Sequence, residues 1–285
     1  MKTFTLAVLV IISVQTLSQV HVDRSISEGL KHSLQVIHLE LSSEDSIPFL
    51  TEFSRLESLT LINFKDSIAP LEVGKLLWLK ELRFVNDNFK YIPENYADLN
   101  QLERIDFIEN VNLNLQQVFS VTRKLSALSE MRLEGFTNTT DLDSIRFPEQ
   151  LSKLSLRNNH LTKVPNSVFK LPGLKVLDLG GNDVFKLENL NAFSSISILF
   201  LDHQTNLSKE YSPSFFKQFK NIDQVYLPQD DLWLEEQAEK VSLLHQPRFL
   251  DSKYSPNLNL HLIDKFTNNG SVDSGKLRLN INSKK

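Results

Sequence analysis

Few residues in this chain stand at spacings that could do covalent chemistry. His32 and His38 are six apart and could share a metal, but none of the seven histidines sits in a metal or triad signature. A solvated pair is the simpler account. Gly180 and Gly181 adjoin, as phosphate-cradling glycines do, yet the spacing of a phosphate loop and its following helix are missing. The acidic runs at 141–144 and 229–231 lack the pattern of a calcium loop. No nucleophile has a base at a supporting spacing. Cysteine is absent, which removes thiol catalysis, cysteine-based zinc sites and a lipid-modified N-terminal cysteine. The expectation is a protein that is not an enzyme and uses no cofactor or metal.

What the chain does offer is recognition chemistry. Arg83, Asp106, Arg132, Glu134, Arg157, Asp178 and Asp202 supply both signs of charge, suited to directional polar contacts. Phe200 and Tyr226 add aromatic side chains of the kind enriched in binding hot spots. Ile62, Val85 and Ile108 make a shorter apolar strip. To act together, these residues must be held in line by something periodic.

The period is visible in the leucines. "LKVLDLGGN" from Leu174 and "LSKLSLRNN" from Leu151 share the pattern Leu-x-x-Leu-x-Leu-x-x-Asn. "LERIDFIEN" from Leu102 and "LKELRFVND" from Leu79 differ only by conservative exchanges. Weaker copies begin at Leu34, Leu56, Leu128, Ile196 and Ile222, so successive starts lie 22 to 26 residues apart. The sixth position is large and apolar in every copy: Leu39, Leu61, Phe84, Phe107, Leu133, Leu156, Leu179, Leu201 and Leu227. Nine copies in register resemble the leucine-rich repeat family, over about residues 30–235. "NDNFKYIPENYADLNQL" and "NNHLTKVPNSVFKLPGL" are similar to its class with Leu-Pro-x-x-x-x-x-Leu.

The pattern predicts an α/β solenoid, a curved horseshoe with a parallel concave sheet of about nine strands and an irregular or short-helical convex side. One coil cannot bury its own apolar face, so neighbours must stack on both sides, each buried leucine contributing about 1.5–3 kcal/mol. Where the chain leaves each strand, backbone N–H and C=O groups turn inward away from water. Asn110, Asn159 and Asn182 can bridge them as a structural ladder, and Asp87 in part. Phe64 and Phe136 stand at the same place without that chemistry, which predicts distorted turns there. The residues between the leucines should face the concave wall: Arg83, Asp106, Arg132, Asp178, Phe200 and Tyr226 at the fifth position, Glu134, Arg157 and Asp202 at the seventh. On this reading Phe200 and Tyr226 are exposed, and Gly180 merely flattens the wall.

The ends complete the organisation. Residues 1–18 read as a signal peptide, with Lys2 before an apolar run too short for a comfortable membrane span and small residues at Thr16 and Ser18. Residues 19–33 form an N-terminal cap, 34–230 the repeats, and 231–285 a C-terminal cap. In that cap "LEEQAEKVSLLHQ" has helical spacing, and "NLNLHLI" and "KLRLNIN" alternate as hairpin strands. Another helix-like spacing occurs in each of "LQQVFSVTRKLSAL" and "YSPSFFKQFKNI". A cysteine-free cap is more similar to exported bacterial repeat proteins than to cysteine-capped animal and plant ones. Asn138, Asn206 and Asn269 are sequons that matter only in a eukaryotic secretory pathway.

With 31 basic and 35 acidic residues, a net charge of −4 argues against nucleic acid as a partner. The signal segment points to a secreted, periplasmic or cell-surface protein, expected to be a monomer with no membrane span, and the family resemblance implies that it binds another protein on its concave face. Two alternatives are a glycan or peptidoglycan binder, with Phe200 and Tyr226 stacking on sugar rings, and an intracellular scaffold of the Ras-associated repeat class.

Overall fold

A computed structural model of the chain describes residues 10–13, 20–23, 33, 36–42, 44–136, 142–143, 145–185, 187, 194–202, 221–226 and 248–249. All belong to one compact unit, Met1–Ser252; a second unit, Lys253–Lys285, lies outside the described residues. The segments 211–220 and 234–246 and both expected hairpin strands, at 257–263 and 276–282, lie outside them as well.

Ten strands form one parallel sheet in chain order: β3 (His38–Leu41), β4 (Ser58–Ile62), β5 (Glu81–Val85), β6 (Arg104–Ile108), β7 (Glu130–Glu134), β8 (Lys153–Ser155), β9 (Val176–Asp178), β10 (Ile198–Phe200), β11 (Gln224–Tyr226) and β12 (Arg248–Phe249). Each is one strand of one coil. β1 (Val10–Ser13) and β2 (Val20–Asp23) make a separate antiparallel pair. That pair straddles Ser18, so cleavage there would remove β1 and leave β2.

The register follows the leucine pattern, with two differences. Leu39 pairs with Leu59 and Leu41 with Leu61, which places the start of the first coil at Val36 and not at Leu34. Because side chains alternate with a period of two, a slip of two residues keeps the same faces inward, and the pattern alone could not detect it. Glu40, not His38, therefore stands beside Thr60 in the fifth column. At the other end β12 adds a tenth strand within the expected cap, where no leucine pattern marks a coil.

Between strands the chain returns through short 3-10 turns, at Glu44–Glu52, Leu71–Lys75, Glu94–Asp98 and Val168–Lys170. The 26-residue interval from 102 to 128 accommodates the α-helix of the described residues, α1 (Leu115–Thr122), capped by Asn114 Oδ1 accepting from Gln117 N. The core is continuous: Leu59, Leu82, Ile105, Met131, Leu154, Leu177 and Leu199 are fully buried along one inner column. Aromatics thicken it in the first coils, where Phe84 stacks on Phe107 and meets Phe89 edge-on.

The turn after each strand repeats a single backbone device. Asn63, Asn86, Glu109, Gly135, Asn158 and Gly181 occupy the eighth position of six successive coils, all with φ between 54° and 76°. Asparagine and glycine enter that left-handed region most readily, so their recurrence here is backbone chemistry. At the ninth position the amides form the ladder. Asn110 Nδ2 donates to Phe84 O at 2.8 Å, Asn159 Nδ2 to Leu133 O at 2.8 Å and Asn182 Nδ2 to Leu156 O at 2.8 Å. Their oxygens accept from Asp87 N, Phe136 N and Asn159 N respectively, and Asp87 Oδ1 accepts from Phe64 N.

This arrangement explains why the expected distortion at Phe64 and Phe136 does not occur. The N–H groups of Phe64 and Phe136 are satisfied by the side chains of Asp87 and Asn159 in the following coil, so a phenylalanine there keeps its own bond. Phe64 and Phe136 turn their rings into the core, at 1% and 3% exposure.

Candidate functional site: the concave wall

The outward side chains of the strands lie in rows, one residue per coil, because the parallel register is in step from β4 to β11. Neighbouring rungs stand about 4.8 Å apart, close enough for long charged side chains to reach one or two coils away. Most of the recognition residues use that reach on each other.

On β6, Arg104 holds Asp106 with two bonds, Nε to Oδ1 at 3.0 Å and Nη2 to Oδ2 at 2.9 Å, while Arg83 Nε approaches Oδ2 from β5 at 3.2 Å. Asp106 is fully buried. Lys153 Nζ pairs with Glu130 Oε1 at 2.8 Å, and Arg132 pairs with Glu134 along β7. Burial works to lower the Arg104 guanidinium pKa, but the carboxylate of Asp106 outweighs it and the net direction is up.

The longest reach belongs to Arg157. Its Nε donates to Asp178 Oδ2 at 3.0 Å, and Nη1 and Nη2 donate to the two oxygens of Asp202 at 3.0 and 2.7 Å, 45 residues along the chain. Ser155 Oγ and Gly180 N also donate to Asp178. A Cβ on residue 180 would collide with the Arg157 guanidinium, so Gly180 leaves the track along which Arg157 crosses the intervening coil. It does more than flatten the wall. Burial raises the Asp178 pKa, opposed by Arg157 and reinforced by the like charge of Asp202.

Phe200 and Tyr226 correct a second expectation. They are opposite each other in register and stack face to face, centroids 4.1 Å apart and planes at 17°. Phe200 is 1% and Tyr226 5% exposed, so their faces are spent on each other and on their surroundings, and neither is an open anchor. Burial, with Asp202 adding to it, pushes the Tyr226 phenol up to about 12.

The wall therefore divides. At the third and fifth positions His38, Glu40, Ser58, Thr60, Glu81 and Arg83 on β3–β5 are half-buried, and so are Ile62, Val85 and Ile108 at the seventh. From β6 to β10 the third and fifth positions are buried, except Arg132. Glu40 shows the mixed character of the open half: partial burial raises its pKa while Arg83 works to lower it. Among the described residues no cluster of His, Asp or Glu could hold a metal, and no helix is long and apolar enough to cross a membrane.

One strand per coil, a single parallel sheet, an apolar inner column and an amide ladder define a repeat solenoid. The chain is a leucine-rich repeat protein. A leucine-rich repeat family model matches residues 149–207. A probable serine/threonine-protein kinase, pats1, of Dictyostelium discoideum is 30% identical over 70% of this chain and 6% of its own length. Toll-like receptor 6 of Mus musculus is 35% identical over 26% of this chain and 9% of its own. The human volume-regulated anion channel subunit LRRC8A is 26% identical over 79% and 28%. The chain thus spans a small part of the length of the curated relatives it matches. Among solved structures, an internalin of Listeria monocytogenes is 20% identical with a TM-score of 0.47, covering 75% of this chain and 64% of that one. Leucine-rich repeat domains generally bind proteins and are typically non-enzymatic.

Proposed function

We propose that this chain is a secreted, non-enzymatic binding protein that captures a protein partner against the open half of its concave wall. The surface is built on β3–β5 and the end of β6: Thr60, Arg83 and Glu40 for polar contacts, and the strip Ile62, Val85 and Ile108 for apolar contact. The observation that carries the reading is the division of the wall. The third and fifth positions are half-buried on β3–β5 and, Arg132 apart, buried from β6 to β10, where the charges already satisfy one another. Arg132, Glu134, Arg157, Asp178 and Asp202 act on this reading as a rigid floor that fixes the curvature, and partner contact falls to the N-terminal half. The glycan alternative rested on two open aromatic rings, and Phe200 and Tyr226 are stacked and buried. A mixed-charge, partly apolar wall suits a folded protein surface, where charge pairs set orientation and an apolar centre supplies affinity.

The test uses the chain as bait on the extracellular fraction of its native source, with captured proteins identified by mass spectrometry. Val85→Asp with Ile108→Asp should abolish capture, while Lys124→Ala on α1's side of the molecule should leave it intact. A partner that both variants retain would remove the open half from the site. N-terminal sequencing of native protein tests secretion: Gln19 as first residue agrees with it, and an intact Met1 argues for the intracellular scaffold.

A further inference from the structure

Eight large apolar side chains are well exposed among the described residues, and six of them fall between positions 49 and 91. Four come from the convex return of one coil: Ile68 at 55%, Leu71 at 59%, Leu77 at 55% and Trp78 at 57%. Tyr91 lies beside Ile68 through an isolated parallel bridge, and Phe49 sits on the 3-10 turn of the preceding coil.

A repeat protein carries its own control for such a patch. The coils starting at 56, 79, 128 and 151 are each 23 residues long, so their positions correspond one to one. Where the first has Leu71, the others have Glu94, Asp143 and Asn166. Where it has Leu77 and Trp78, they have Asn100 and Gln101, Glu149 and Gln150, and Pro172 and Gly173. The fold accepts polar or small residues at every one of these places. The buried neighbours tell the opposite story, since Leu76 and its counterparts Leu99 and Leu171 are all core. Stacking therefore does not require Leu71, Leu77 or Trp78, and their apolarity needs a different cause.

We propose that this convex patch is a self-association surface, occupied by the same patch of a second copy of the chain. Half-exposed, six such side chains present on the order of 600 Å², most of the about 800 Å² that each partner brings to a standard interface. With the concave-wall and ladder residues set aside, the charge between positions 49 and 91 is nearly balanced: Arg55, Lys65, Lys75, Lys80 and Lys90 against Glu52, Glu57, Asp66 and Glu72. Five against four let two identical surfaces meet about a two-fold axis with little net repulsion, as an isologous contact demands. An anionic membrane would be met by a basic rim, which this patch lacks. The convex location leaves both concave walls free, so the dimer would present two copies of the partner surface. This replaces the expectation of a monomer, and it does not depend on which molecule the concave wall binds.

Light scattering on the full chain over about 1–100 µM is the test. The expected result is a shift from 32.8 kDa toward twice that mass, abolished in Leu71→Glu with Trp78→Glu while circular dichroism and melting temperature stay unchanged. Leu71→Ser with Leu77→Ser replaces that pair if it fails to fold. A chain monomeric throughout the range overturns the proposal, as does a dimer that the folded variants leave intact. Flotation of a monomeric chain with neutral phosphatidylcholine vesicles, lost in the same variants, would assign the patch to lipid and overturn it equally.

Discussion

Replacing Arg157 with methionine keeps an unbranched apolar stem as far as Nε and deletes the guanidinium. Three charge-assisted hydrogen bonds disappear, and Asp178 and Asp202 lose the cation that joins their two coils. The Arg157 side chain is only 11% exposed and that of Asp202 not at all, so water does not replace the lost partner. Removing one member of a buried ion pair costs about 3–5 kcal/mol. For a chain of this size that corresponds to a drop of roughly 6–20 °C in melting temperature.

The pH dependence separates charge from packing in this variant. The folded-state pKa of Asp178 already stands above its ordinary value of 3.8, and without Arg157 it rises further. A carboxyl with a raised folded pKa binds more protons folded than unfolded between the two values. Its destabilisation is therefore greatest at neutral pH and is relieved as pH falls through the folded pKa toward 3.8. Urea melts of wild type and Arg157→Met should differ by several kcal/mol at pH 7 and by less near pH 4.5. Each relieved proton recovers up to about 1.4 kcal/mol per pH unit. A difference that is the same at both pH values would refute the electrostatic account and leave only lost packing. One below about 1 kcal/mol at pH 7 would refute the burial argument as well.

Three further outcomes can be checked. Asn159→Ala leaves Phe136 N and Leu133 O without their side-chain partner in the buried turn, a loss of about 2–5 kcal/mol in chemical denaturation. Glu109→Asn keeps the left-handed turn with a residue suited to it and should raise stability by about 0.5–1 kcal/mol, read as a higher midpoint at unchanged slope. Spectrophotometric titration of Tyr226→Phe against wild type should show no missing phenolate signal at pH 10–11, because the Tyr226 phenol ionises only near 12. A difference at pH 10 would mean the stacked ring is open to water.

The repeat unit was legible in the sequence for a definite reason. A coil that must bury the same leucines in every turn repeats its constraint about every 23 residues, so Leu154, Leu177 and the asparagines of the ladder announce themselves together. The strand faces followed from the same period, and so did the helical spacing in the longer interval that holds α1. Where the constraint fades, so did the reading. β12 carries no leucine signature, and the first coil could slide by two residues without turning any side chain over.

Outward positions were another matter. Sequence could say that Arg157, Asp178 and Asp202 share a wall, because alternation alone decides that. It could not say that Arg157 crosses a coil over Gly180 to reach Asp202, since that depends on rung spacing and side-chain length in three dimensions. Nor could it say that Phe200 and Tyr226 bury each other, or that the third and fifth positions stay half-open on β3–β5 and, Arg132 apart, close from β6 to β10. The inward half of each coil is set by local pattern, because every turn meets an identical neighbour. The outward half is set by which unlike side chains the stacking brings side by side, and only the tertiary structure decided that.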